Sequence, residues 1–394
     1  MSAQPVTGPG EEPDLSNLTL SRKEDFLLFA ETPPRAQPEQ RRSSIAAPED
    51  EGGSLMRYRD AGVDLSRSDA IKDEVIREIR STWGEGVRPL VGGFAGVMTW
   101  PGRAPLVAAT MDGVGTKLHL ALQAGRVEDA AADLVYHGAN DLLVHGAHPV
   151  AFLDYVAQAR LAPEVVLAAV RGLARACREV GAVLLGGETA EMPDTYLPGV
   201  VDVAGCMIGA VDEGALLDGS RVRPGDRLLG LAGSGLHTNG YSLARRVLAA
   251  SGLDADAPLP GGTGERVMDA LLQPHRWYGR ALLPLAAAER LRAMAHVTGG
   301  GIAGNLVRVL PAGCRAVVRN GSWPRPALFE WLVRAGEVPE DDARASLNLG
   351  IGMLAVVPPG EVAGVEADLR AAGETVWNIG AVESGERGVE WIGP

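Results

Sequence analysis

The stretch Thr110–Ala121, TMDGVGTKLHLA, puts Asp112, Gly113, Gly115, Thr116 and Lys117 into one turn between two apolar runs. Gly113 and Gly115 let the backbone approach a ligand, and Lys117 supplies a point charge for phosphate. Asp112 is a hard oxygen ligand of the kind Mg²⁺ takes beside phosphate oxygens. The order of Thr and Lys, and the close spacing of the glycines, do not make a Walker A loop, which needs G-x4-G-K-[ST]. A strand-to-helix loop built on an Asx-type turn accounts for the same residues. The turn alone does not decide between them.

Further stretches carry the same kind of chemistry. In NDLLVHGAHP (Asn140–Pro149), Asp141 sits among apolar residues on a helix expected to be buried. A buried carboxylate needs a cation or strong donors, so Asp141 is either salt-bridged to an arginine or a second metal ligand beside Asp112. In LLGGETAEMPDTY (Leu184–Tyr196), an apolar strand runs into Gly186, Gly187, Glu188, Thr189 and Glu191. Carboxylates past the carboxyl end of a strand lie where α/β folds bind ligands; a capping box opening a short helix reads the same residues without a ligand. In AGSGLHTNGYSLARR (Ala232–Arg246), His237, Thr238 and Asn239 precede a helix whose free N–H groups suit an anion, with His237 placed to orient a substrate or give a proton. In HVTGGGIAGNLVRVLP (His296–Pro311), Gly299, Gly300 and Gly301 make a second candidate phosphate cradle. RPLVGGFAGV (Arg88–Val97) holds Gly92 and Gly93 in a loop that could fold over a ligand. His119, His137, His145 and His148 cluster in sequence, but with no cysteine near them they read as structural or surface residues rather than a zinc site.

These stretches need strands and helices to hold them. PLVAATM reads as a strand and TKLHLALQAG as a helix stopped by Gly125. VEDAAADLVYHGANDLLVHG reads as a helix broken near Gly138, and PVAFLDYVAQAR as a strand. Val166, Val170, Leu173, Cys177 and Val180 recur at helical spacing behind Pro163, which makes Cys177 a small core residue. AVLLGG and VVDVAGCMIGAV are two more strands. A polar, turn-rich seam at Asp212–Asp226 separates these from a second alternating half: RLLGLAGS strand, NGYSLARRVLAA helix, GGGIAGNLVRVLP loop and helix, IGMLAVVPP strand. The reading is a mixed α/β chain in two domains, 56–217 and 218–394.

Residues 1–55 differ in kind. They are rich in Pro, Glu, Ser and Gly, and are expected to be a disordered tail with one short apolar patch, Glu24–Ala30. Met56 offers an alternative start. The formal net charge of −13 argues against a nucleic-acid binder, though not against a phosphorylated small substrate. Cys177, Cys206 and Cys314 are far apart in sequence and form no CxxC pair, which fits a reducing cytoplasm. No run approaches the roughly 20 apolar residues of a membrane span, and no secretory signal is visible.

Taken in order, YRDAGVDL, MDGVGTK, NDLLVHGAHPVAFLDY, GGETAEMP, GSGLHTNGYSL and HVTGGGIAGNLVRVLP resemble the motifs of the aminoimidazole ribonucleotide synthetase family, the phosphoribosylformylglycinamidine cyclo-ligases, from Tyr58 to about Val382. The resemblance implies a two-domain fold in which N-terminal domains pair across a homodimer and close a β-barrel, beside a C-terminal α/β domain. It implies ATP and Mg²⁺, and conversion of formylglycinamidine ribonucleotide to aminoimidazole ribonucleotide in purine synthesis. It assigns Asp112 and Asp141 to metal. Gly92, Gly93, Gly113, Gly115, Thr116, Lys117 and Glu188 fall to ATP and its phosphates, with Glu188 as metal or ATP support. His237, Thr238, Asn239 and Gly299–Gly301 fall to the substrate side. Lys117, Asp141 and His237 are the residues expected to carry catalysis. The chain departs from the family's pattern at His137-Gly138-Ala139, where Met-Cys-Val is usual, at Gly233-Ser234, and at LNLGIGM. Other ATP-dependent enzymes of the superfamily, and a catalytically inactive ATP-binding scaffold, are the alternatives. The first cysteine, Cys177, lies far past the early glycine-rich loops and the chain ends WIGP, so neither the reactive cysteine of selenophosphate synthetases nor the terminal cysteine of the hydrogenase-maturation relatives is present.

Overall fold

The computed structural model describes residues 74–78, 80–84, 87–88, 97–98 and 106–393. The tail 1–55 and the loop holding Gly92 and Gly93 lie outside the described residues.

The first half is built on a four-stranded mixed sheet. Strand β1 (Leu106–Gly113) leads through helices α1 (Lys117–Gln123) and α2 (Val127–Leu143) to β2 (His148–Gln158). Helix α3 (Pro163–Val180) then leads to β3 (Val183–Glu191) and β4 (Val201–Val211). The spatial order is β1-β4-β2-β3. β1 and β2 each run antiparallel to β4, while β2 and β3 run parallel across the α3 crossover. Pro163 opens α3, where its missing N–H costs nothing, and Gly181 closes it in the left-handed region at φ 80°. β4 alternates buried and half-buried residues along most of its length, as a strand with one covered face must.

Two expectations from the sequence are corrected here. The helix α2 is not broken at Gly138; it runs unbroken from Val127 to Leu143. A Cβ at Gly138 would lie 2.9 Å from the Met207 Cβ, so this glycine serves the close approach of α2 to β4 rather than a break. Nor does a strand end before Glu188. β3 continues to Glu191 because its parallel pairing with β2 continues, with Tyr155 opposite Glu188 and Gln158 opposite Glu191. No helix opens at Thr189, so the capping-box reading falls with the strand-end reading.

The second half carries a six-stranded mixed sheet. Its strands are β5 (Arg227–Ala232), β6 (Ala293–His296), β7 (Cys314–Arg319), β8 (Ile351–Val357), β9 (Val376–Ser384) and β10 (Gly388–Ile392), in the order β10-β7-β9-β5-β8-β6. Between them lie α4 (Tyr241–Ser251), α5 (Val267–Leu271), α6 (Gly279–Ala287), α7 (Gly301–Leu306), α8 (Ala327–Ala335), α9 (Glu340–Ser346) and α10 (Val362–Ala371). β8 is buried along its whole length, as the apolar run IGMLAVV requires. The two sheets fall on either side of the polar seam at 212–226. One apolar cluster nonetheless crosses that seam, joining Leu134 and Leu173 of α2 and α3 to Phe329 and Leu332 of α8. Helix α2 therefore packs against the second half as well as against its own sheet, and this is the element that carries the site.

Candidate active site

Helix α2 places Asp133, His137, Asn140 and Asp141 at spacings of four, seven and eight residues, on one face. That face looks away from the first sheet's interior and towards the loops of the second half. Strand β1 brings Thr110 and Asp112 alongside it, β6 ends at His296, and the loops around Asn239 and Gly299 complete the rim. Together they enclose a cleft of about 680 Å³ whose lining includes Asp112, His137, Asp141, Asn239, His296 and Arg308.

The polar groups on the floor are closely coupled. His137 Nε2 lies 2.8 Å from Asp112 Oδ2 and 3.5 Å from Asp141 Oδ2, and its Nδ1 is 2.7 Å from the Thr238 hydroxyl. His296 Nδ1 lies 2.8 Å from Asp141 Oδ1, and its Nε2 is 3.2 Å from His275 Nε2. The hydrogen bond from His137 holds the Asp112 carboxyl below its ordinary range, against the opposing pull of burial. Burial pushes Asp141 up, but the bond and charge of His296 and the charges of His137 and Arg308 outweigh it and leave it low. Burial alone would keep His137 neutral; the carboxylates of Asp112 and Asp141 reverse that and raise it. His275 and His237 are held well below the usual imidazole value by burial and by neighbouring positive charge. The result is two ionised carboxylates opening on a cleft, backed by a layer of imidazoles. Carboxylates so placed suit a hard divalent cation.

Beneath this layer lies a fully buried ion pair. Lys117, with no exposed surface, directs its Nζ to Asp133 and to the carbonyls of His237 and Gln273, each 3.0 Å away. The other Asp133 oxygen accepts the His275 backbone N–H at 2.7 Å. Asn140 secures the same segment: its amide donates to the Arg276 carbonyl at 2.8 Å and its oxygen accepts the Tyr278 N–H at 3.2 Å.

The sequence expectations meet this geometry unevenly. Asp112, Asp141, Asn239 and Gly299 line the cleft. Thr238 reaches it through its bond to His137. Asp112 also accepts the N–H of Gly113, the next residue of β1, at 2.7 Å. Gly115 takes a positive φ of 69° and Thr116 meets the Ser242 hydroxyl at 3.2 Å. Gly300 and Gly301 take positive φ at the start of α7. The Lys117 ammonium is enclosed by a carboxylate and two carbonyls. His237 is buried as well. It is 1% exposed, its Nε2 accepts the Ser234 N–H at 3.1 Å, and its ring stacks on His275 with centroids 4.0 Å apart, behind the cleft wall rather than on it. Glu188 is exposed on β3 and is not among the residues lining the cleft. Gly92 and Gly93 lie outside the described residues.

Comparison with known proteins bears on what this arrangement does. Residues 92–211 match the N-terminal domain, and residues 223–392 the C-terminal domain, of AIR synthase related proteins. A phosphoribosylformylglycinamidine cyclo-ligase from Anaeromyxobacter dehalogenans is 43% identical over 334 residues, which cover 84% of this chain and 96% of that protein. The cyclo-ligase of Cupriavidus pinatubonensis is 41% identical over 339 residues, covering 86% and 96%. The chain belongs to the phosphoribosylformylglycinamidine cyclo-ligase family. Its fold is shared more widely. A crystal structure of thiamine-monophosphate kinase from Stenotrophomonas maltophilia superposes with a TM-score of 0.63 at 19% identity, covering 82% of this chain and 96% of that one. The hydrogenase maturation protein HypE in complex with ATP superposes at 0.61, also with 19% identity, covering 84% and 92%.

Within the cyclo-ligase family frame, the residues that sequence reasoning missed are the imidazoles. In sequence His137 reads with the structural or surface histidines, His296 only flanks a glycine run, and nothing singles out His275. A signal for His137 did exist. It stands four residues from both Asp133 and Asp141, which on a helix puts all three on one face. His275 and His296 carry no such local pattern; tertiary packing alone brings them in. Because Asn140 is the fully buried clamp on the 275–278 segment, Asn140→Ala leaves a carbonyl and an N–H without partners. It is expected to cost about 2–4 kcal/mol in urea unfolding, the cost of leaving two buried groups unpaired, whereas a change within error would show that the clamp is not formed.

Proposed function

We propose that this chain converts ATP and formylglycinamidine ribonucleotide to aminoimidazole ribonucleotide, ADP and phosphate, as a cyclo-ligase of de novo purine synthesis in the cytoplasm. The observation that carries the reading is the 43% identity to a named cyclo-ligase across 84% of the chain. The chemistry suits the cleft. A formamide oxygen is a poor leaving group. Transfer of the ATP γ-phosphoryl group onto it gives an iminophosphate; the amidine nitrogen then attacks the same carbon and phosphate departs. Such a reaction asks for charge complementarity and positioning rather than a nucleophile on the protein. Cys177, buried on α3 with its thiol pushed far up by burial, is accordingly uninvolved.

The donor set fits Mg²⁺: Asp112 and Asp141 are partly exposed carboxylates held low, beside a cleft deep enough for a nucleotide or nucleotide-like substrate. When bound there, Mg²⁺ would neutralise charge on the phosphates. Arg308 adds a cation on the same wall. Thr238 and Asn239 orient the substrate side, with Gly299–Gly301 as the phosphate turn. Asp141 keeps its place through His296, and Asp112 through His137 and the Gly113 N–H. Lys117 and His237 act from behind, as the buried supports of this surface.

A homodimer is part of the same reading. Among the described residues β1 is an edge strand of its sheet, and Val107 and Met111 on it are 64% and 71% exposed. An apolar edge of this kind is an aggregation hazard unless another chain covers it.

Purified chain given ATP, Mg²⁺ and formylglycinamidine ribonucleotide is expected to form ADP and aminoimidazole ribonucleotide one for one. Asp141→Asn should lower turnover by about 10²–10³-fold, the scale of removing one preorganised electrostatic contact, with the thermal midpoint little changed. ATP binding with neither product would replace the cyclo-ligase reading by the inactive-scaffold one. Met111→Asp should shift the mass measured by light scattering from dimer to monomer; a dimer unaffected by it would remove β1 from the interface.

A further inference from the structure

Three imidazoles converge beneath the cleft, closer together than the support of Asp112 and Asp141 requires. One ring nitrogen from each of His137, His275 and His296 lies within 4.8 Å of the others, and all three residues are buried. Metal-binding histidines characteristically give their second N–H to a carbonyl or carboxylate, which fixes the ring and leaves the other nitrogen's lone pair directed inward. His275 and His296 each have such a partner, and His137 has one on each nitrogen. His275 Nδ1 meets the Arg276 carbonyl at 3.1 Å; the carbonyl only accepts, so Nδ1 carries the proton and Nε2 the lone pair. His296 Nδ1 faces the Asp141 carboxylate at 2.8 Å, which places its lone pair on Nε2 in the same way. His137 spans the Asp112 carboxylate at 2.8 Å and the Thr238 hydroxyl at 2.7 Å. Both of its nitrogens are therefore engaged, and His137 joins an ion only when the Thr238 hydroxyl or the Asp112 carboxylate gives way to it.

The consequence is specific. The Nε2 atoms of His275 and His296 are 3.2 Å apart. With both Nδ1 positions protonated, two lone pairs face one another and need positive charge beside them, from a shared proton or a cation. Two imidazole nitrogens on one tetrahedral zinc ion, each about 2.0–2.1 Å from it, stand roughly 3.4 Å apart. The observed separation needs little adjustment to meet that.

We propose that His137, His275 and His296 form a site for one borderline divalent metal ion of the zinc type, directly behind the hard-cation position of Asp112 and Asp141. Nitrogen donors select Zn²⁺ or Co²⁺ over Mg²⁺, which prefers oxygen. His137 and His296 also line the cleft, which gives the ion its way in and leaves a fourth position for water. Bound there, the ion would tie α2, the segment 273–278 and the end of β6 together at the floor of the cleft.

Co²⁺ is the probe, since tetrahedral nitrogen coordination gives it intense visible absorption. The full chain, stripped of metal and titrated with Co²⁺, is expected to develop that absorption with an end point of one ion per chain, and to keep it in a large excess of Mg²⁺. His275→Asn should weaken Co²⁺ binding at least about tenfold, while His119→Asn, outside the cluster, should bind as the parent does. If circular dichroism shows that His275→Asn does not fold, His137→Gln provides the same comparison. Absence of the absorption, its loss to Mg²⁺, or equal Co²⁺ affinity in the folded cluster variant would each overturn the proposal. None of these readouts depends on turnover, so they stand apart from the test of the cyclo-ligase reading.

Discussion

The buried pair of Lys117 and Asp133 is the contact on which the rest of the site depends. Both side chains have no exposed surface. Burial works against the ammonium, yet the facing Asp133 carboxylate keeps the Lys117 pKa above its ordinary value. Taking two charges out of water is costly, and the cost is offset only where every remaining donor and acceptor is met. Here they are met by two separate loops of the chain. The His237 and Gln273 carbonyls take the other ammonium protons, and the His275 N–H takes the second carboxylate oxygen. The pair is therefore a joint between the first half of the molecule, through α1 and α2, and two loops of the second half.

What that joint positions is the imidazole layer. His237 stacks on His275, His275 meets His296, and His296 meets Asp141. Each step sets the next, ending at Asp141 on the cleft, while His137 holds Asp112 beside it. The glycines around the layer serve close approach. A Cβ at Gly352 would overlap the Tyr278 hydroxyl and the His237 ring, so the buried histidine fits only because that position of β8 has no side chain. Rigidity of this kind suits a reaction whose catalysis is mainly placement of charge, because a preformed environment needs no rearrangement as charge develops.

Much of this was legible in the sequence and some was not. The strands and helices follow from hydrophobic periodicity and from punctuation such as Pro163 and Gly125, and α3 lies where its apolar stripe and Pro163 put it. The reading failed where a local signal had two tertiary meanings. Gly138 suggested a break, but the helix keeps its hydrogen bonds and uses the missing side chain to approach Met207. Gly186-Gly187 suggested a strand end, but pairing with β2 carries the strand onward. Lys117 beside two glycines suggested a phosphate contact; nothing local reveals that Asp133, sixteen residues on, faces it in the interior. Asp141 stands out in the sequence because a carboxylate in apolar surroundings demands a partner whatever the fold, and Asp112 because it shares a turn with two glycines and a lysine. His275 and His296 do not, because a histidine is compatible with many environments and only the folded chain shows what surrounds it.

A double-mutant cycle on the central pair tests this account most directly. Lys117→Met, Asp133→Leu and the double variant would be compared with the parent by urea unfolding of the ligand-free chain. Each single change should destabilise by about 3–5 kcal/mol, because it strands one charge in the interior, and the double variant should recover most of that loss. Single variants of parental stability, or losses that simply add, would mean that the two charges do not depend on one another and that the cleft is held in place by something else.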